Sequence, residues 1–188
     1  MTLKEMTKKI LTMIEEYDEN AESFTSDQDI EMKLKETINQ VMFELARIKK
    51  IPDYVGMEVN AGDLIRFEDI ASLTGYEVYQ LDKVHGVNFE FRANGTIIKV
   101  LQSGELEIDY FRYPERITDK TSGSYEFELS ADVLEIMPYG VAGDLLKTDV
   151  STEYGTIFST RYEQMKQQLD PRNSMGIFTV EGGASWLI

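Results

Sequence analysis

The spacing of apolar residues changes period twice along the chain. Leu3, Met6, Ile10, Met13, Ile14 and Tyr17 recur at steps of three and four, which predicts a helix over residues 3–17 with one apolar stripe. Residues 18–24 are acidic and aperiodic and read as a loop. Ser26 fits an N-cap, with Asp29 three residues on as an imperfect capping box. A second helix then carries Ile30, Leu34, Ile38, Val41, Leu45 and Ile48. Lys49 and Lys50 suit the negative end of its dipole, and Pro52 is expected to stop it.

From about residue 54 to residue 127 the period shortens toward two. Residues 76–81, 88–92, 96–101 and 105–113 read as strands, with Leu106, Ile108, Tyr110 and Arg112 on one side of the last. Asn94-Gly95 fits a type I′ hairpin turn, because both residues tolerate positive φ. Ser103-Gly104 marks a further turn. Together these predict a meander of three or four half-buried strands set on the helices. Residues 63–72, with Leu64, Ile65, Phe67 and Ile70, fit either a strand or a short helix.

The helical period returns after a polar loop at 119–124. Ser130 caps a third helix bearing Leu134, Met137, Val141, Leu145 and Leu146. Pro138, Gly140 and Gly143 inside it predict a kink or a close helix–helix contact. Tyr154, Ile157, Phe158, Tyr162, Met165 and Leu169 form the stripe of a fourth helix, ended by Asp170-Pro171. Beyond it, residues 176–180 read as a strand, Gly182-Gly183 as a hinge, and the chain ends on Trp186-Leu187-Ile188. The expected class is α+β: a four-helix body with an inserted antiparallel β meander and an extended C-terminal segment. Residues 1–52 and 128–170 form the body, 53–127 the insert and 171–188 the terminal segment.

Composition narrows the chemistry. With 188 residues and 42% hydrophobic content, the chain can bury a core. It has no cysteine, which excludes disulfides and thiolate metal sites and allows a reducing compartment. The first residues mix charge with apolar side chains, so no signal peptide is expected, and no apolar run approaches the ~20 residues of a membrane span. A formal net charge of −15 argues against a broad phosphate-neutralising surface. It fits either plain solubility or a wall that repels DNA.

No catalytic, cofactor or metal constellation emerges. His85 is the only histidine, sits before Gly86 in an expected turn, and has no nucleophile motif to serve. The acid clusters Glu15-Glu16, Asp18-Glu19 and Asp27/Asp29 lie near helix ends, where acids are common for dipole reasons. Gly140 to Gly143 lacks the lysine of a phosphate loop. Phe89, Phe91, Tyr110, Phe111 and Tyr113 could imitate a base-stacking platform, but acids surround them, so packing is the better account.

The order of these parts resembles the head–tail connector (adaptor) proteins of tailed bacteriophages, in the larger type with a β insert. The resemblance is carried by the helix around residues 38–47, the strand 106–114 followed by Ile117-Thr118, and the closing helix pair from Leu129 to Met165. It covers residues 1–169 as a pattern, and its specificity lies in the order rather than in one motif. It implies a non-enzymatic structural protein of the virion, assembled in the host cytoplasm as a homo-oligomeric ring of about twelve copies. The ring would sit between the portal protein and a stopper or tail protein, with DNA passing through non-specifically, no membrane partner and no cofactor. The terminal anchor toward a partner would be Ile177, Phe178, Val180, Trp186, Leu187 and Ile188. The alternative is another phage tail-completion or assembly module, and behind it a carboxylate-based glycan hydrolase.

Overall fold

A computed structural model describes residues 1–20, 24–147 and 153–169. Helices α1 (Leu3–Met13) and α2 (Gln28–Ile48) lead into strand β1 (Ile51–Val59) and strand β2 (Leu64–Arg66). Helix α3 (Phe67–Thr74) precedes β3 (Val78–Gly86), β4 (Phe89–Arg92), β5 (Ile97–Val100) and β6 (Gly104–Arg112). Helices α4 (Ala131–Leu145) and α5 (Tyr154–Gln167) close the described chain. Among the described residues the fold is therefore α+β, with five α-helices and two antiparallel three-stranded sheets.

The β part holds six strands, not a meander of three or four. One sheet has the order β1-β6-β3 and the other β2-β5-β4. The stretch that fitted strand or helix is both: Leu64 to Arg66 pairs with β5, and Asp69 then accepts the Arg66 N–H to start α3. Pro52 does not stop α2. The helix ends at the Lys49 C-cap, and Pro52 lies inside β1, an edge strand, where a residue lacking an N–H is tolerated. At the β4–β5 connection a 3₁₀ turn replaces the expected two-residue turn, with positive φ at Ala93 (48°) and Gly95 (87°).

Helix ends shift for local reasons. α1 starts with a complete capping box: Thr2 Oγ1 accepts the Glu5 N–H at 3.2 Å, and the Glu5 carboxylate accepts the Thr2 N–H at 2.8 Å. It stops at Met13 because Glu15 takes a φ of 62°, leaving Tyr17 beyond the following turn. α2 is capped one residue later than expected, by the Asp27 carboxylate, which accepts from Asp29 and Ile30. Ser130 precedes α4 without a side-chain cap bond.

Two cores result. The first gathers Met6 and Ile10 of α1, Ile38, Met42 and Leu45 of α2, Val133, Met137 and Val141 of α4, and Tyr162 of α5. The second lies between the sheets, where Leu106, Ile108 and Tyr110 of β6 meet Ile98 and Val100 of β5, with Ile70 of α3 closing it. α4 and α5 approach closely at the glycines. A Cβ on Gly140 would fall 2.8 Å from the Tyr162 ring, and one on Gly143 only 2.6 Å from Ser159 Oγ and 2.9 Å from the Ser159 backbone nitrogen.

Candidate assembly surface

Strand β6 leaves its sheet at Arg112, and a dense polar contact forms there. Arg112 continues the inward row Leu106, Ile108, Tyr110, so its guanidinium is carried into the protein and is only 10% exposed. Its Nε donates to Asp53 Oδ2 at 2.8 Å. Nη1 and Nη2 donate to the two oxygens of Glu128 at 2.8 and 3.1 Å. The Tyr76 ring lies 3.7 Å from the guanidinium carbon. Burial works against this charge, but the bonds and charge of Glu128, then of Asp53, outweigh it and raise the Arg112 pKa. The cation thereby ties β1 and β6 to the segment that leads into α4.

That segment is anchored along its length. Asn39 of α2, 2% exposed, donates to the Ile117 carbonyl and accepts the Ile117 N–H, both at 2.8 Å. Leu3 N–H donates to the Tyr125 carbonyl and Lys4 N–H to the Gly123 carbonyl. Tyr113 stacks between Phe43 and Tyr79, each with centroids 4.8 Å away, and its hydroxyl accepts from Arg47 Nε. Tyr79 donates to the Ala46 carbonyl, and burial, then the neighbouring Tyr113, pushes its phenol up to about 12. Lys49 at the end of α2 pairs with Asp132 at the start of α4, at 2.9 Å. The Asp132 carboxyl is held below its usual range by the Ser130 hydroxyl first and by Lys49 second. α5 is fixed to α2 by Glu44, which accepts from Tyr162 at 2.8 Å and from Lys166 at 2.7 Å.

Two adjoining grooves run along α2 beside this segment, of about 350 and about 550 Å³, and share Glu31 and Lys35. Their walls are paired internally: Lys35 with Asp119 at 2.7 Å and Arg116 with Glu36 at 3.3 Å. Among the described residues no group of three or more His, Asp or Glu is placed to hold a metal ion, and no helix is long and apolar enough to cross a membrane.

The residues singled out from sequence are dispersed. His85 is not in a turn. It lies near the end of β3, opposite Glu107, with Nε2 3.9 Å from Asp109. The five aromatics do not form a platform: Tyr110 is in the inter-sheet core, Phe89 and Phe91 make an edge contact on β4, Phe111 lies under Lys50, and Tyr113 is in the stack described above. The terminal candidates Ile177, Phe178, Val180, Trp186, Leu187 and Ile188 lie outside the described residues.

Surface features add what sequence reasoning had not separated. α5 buries Gly155 and Tyr162, whereas Tyr154 and Ile157 remain 53% and 54% exposed. Tyr54, on the outer face of edge strand β1, is 74% exposed. The alternation of β1 held that signal for Tyr54. For Tyr154 and Ile157 no signal distinguished them from the rest of the stripe. The chain matches no known family model and no curated protein sequence.

Proposed function

We propose that the protein is a structural, non-enzymatic component of a phage virion, an adaptor ring seated between portal and tail through which DNA passes. In this reading α1, α2, α4 and α5 make a four-helix body, the β part is its insert, and residues 171–188 dock on the portal. What carries the reading is the order of elements, two helices before the β part and two after it, contributing to one shared core. Three further observations support it. The net charge of −15 suits a wall along which a polyanion slides. Tyr154 and Ile157 offer apolar surface of the kind that assembly covers. Trp186, Leu187 and Ile188 are three consecutive apolar residues, which an assembly partner would bury.

The experiment is co-sedimentation of the full chain, and of a chain ending at Pro171, with purified portal rings encoded beside it. The full chain is expected to sediment with the rings. The shortened chain is expected to keep its thermal transition and lose the binding. Absence of binding by the full chain across salt and protein concentration would contradict the adaptor reading and favour a separate assembly module.

A further inference from the structure

The inward residues of both sheets meet in one core, so their outward faces point away from each other. The two outward faces differ in charge. On β1-β6-β3, Glu58 lies opposite Glu105, and Glu107 and Asp109 follow along β6, with Lys83 the cation in the same rows. Tyr54 stands opposite Asp109, and a depression of about 360 Å³ beside it is lined by Asp82 and Asp109.

On β2-β5-β4 the pattern reverses. Arg66, Ile97 and Arg92 form one row across the sheet, and Leu64, Lys99 and Glu90 the next. Three of the 19 basic residues of the chain thus share this small face with a single carboxylate. Glu90 is engaged by Arg92 at 2.7 Å and by Lys99 at 3.5 Å, and Arg66 is exposed. Leu64, 48% exposed, and Ile97 place apolar surface among the cations.

We propose that the acidic face of β1-β6-β3 in one copy docks on the basic, partly apolar face of β2-β5-β4 in the next copy, with Tyr54 set against Leu64 and Ile97. Charge complementarity selects a second copy as the occupant, because each face finds its opposite on the far side of the same subunit. Neither face is self-complementary, so the contact is head to tail and repeats from copy to copy, and a fixed rotation between copies is what closes such a series into a ring rather than a filament. The inference deepens the ring reading and rests on it for closure. The contact is small. Strands of three and four residues spaced about 4.8 Å apart cover far less than the ~800 Å² per partner of a stable interface. One contact alone is therefore weak and sensitive to salt, and closure supplies the rest.

Sedimentation velocity on the full chain tests this, at protein concentrations up to about 1 mM, in low salt and in ~0.5 M NaCl. The parent should associate in low salt and dissociate in high salt. Arg66→Glu/Arg92→Glu should weaken association about tenfold or more, as should Glu105→Lys/Glu107→Lys, each with unchanged circular dichroism. An equimolar mixture of the two double variants should associate again, since each then meets a complementary face. Four results would overturn the proposal: a parent monomeric throughout, double variants that associate like the parent, a mixture that stays monomeric, or salt-sensitive binding of a DNA oligonucleotide lost in Arg66→Glu/Arg92→Glu while self-association persists. Portal binding is read separately, so loss of this contact and loss of the adaptor reading give different results.

Discussion

Replacing Arg112 by methionine isolates the contact that joins the β part to the segment before α4. The substitution keeps a long side chain in the space but removes four hydrogen bonds, three to carboxylates and one to the Tyr113 carbonyl, and the stack on Tyr76. Removing one partner of a buried ion pair costs about 3–5 kcal/mol, mostly because the other charge is stranded. Here the stranded carboxylates, Asp53 and Glu128, are 31% and 30% exposed and regain some water, which places the expected loss near about 3 kcal/mol. For a chain of this length that corresponds to a fall in Tm of about 6–12 °C. Urea denaturation followed by circular dichroism gives the loss directly, as a shift in midpoint at constant slope. Adding Asp53→Asn and Glu128→Gln to the methionine variant should recover at least about 1 kcal/mol, because no unpaired charge then remains. A loss below about 1 kcal/mol for Arg112→Met, or no recovery in the triple variant, would refute the reasoning.

Other substitutions probe the remaining joints. Asn39→Leu leaves the N–H and carbonyl of buried Ile117 without partners and should cost about 2 kcal/mol in the same urea assay. Gly143→Ala drives a methyl into the α5 backbone at Ser159, and its overpacking cost of about 1–3 kcal/mol should exceed the ~1 kcal/mol gained in helix propensity. Gly56→Ala, where a Cβ meets open space, should be tolerated, which a thermal melt will show. Burial, with the charges of Tyr113 and Glu128 respectively next in size, pushes the phenols of Tyr79 and Tyr125 up to about 12. The native chain therefore holds these protons where the unfolded chain has lost them. These two phenols leave stability unchanged below the ordinary tyrosine pKa of about 10 and lower it as pH rises toward 12. Tyrosinate absorbance should show part of the titration delayed in the native protein and a single step near pH ~10 in urea.

Helix existence was legible because each stripe repeats over three turns or more, as in Ile30 to Ile48 of α2. Boundaries were less so. The stripe that ran to Tyr17 continues in space through a turn, with Ile14 buried and Tyr17 packed on the same core, although the helix has ended. β1 was hidden by two residues. Pro52 looked like a stop, and Asp53 broke the inward row Ile51, Val55, Met57, Val59, yet Asp53 points inward to meet Arg112. The signal for that buried pair was present, since Arg112 shares the alternation of Leu106, Ile108 and Tyr110. Its partners lie 59 and 16 residues away, and periodicity does not report such pairing. The same holds for the opposed charged faces, which appear only once register sets Arg66 and Arg92 on either side of Ile97. The terminal anchor residues lie outside the described chain, so that part of the candidate site rests on sequence alone.

Electron microscopy of portal rings incubated with the full chain tests the adaptor reading most directly. The account predicts added density at one end of the portal, following its rotational order and built of copies in head-to-tail contact. Portal rings that remain bare at saturating protein, or density at sites without that rotational order, would contradict it.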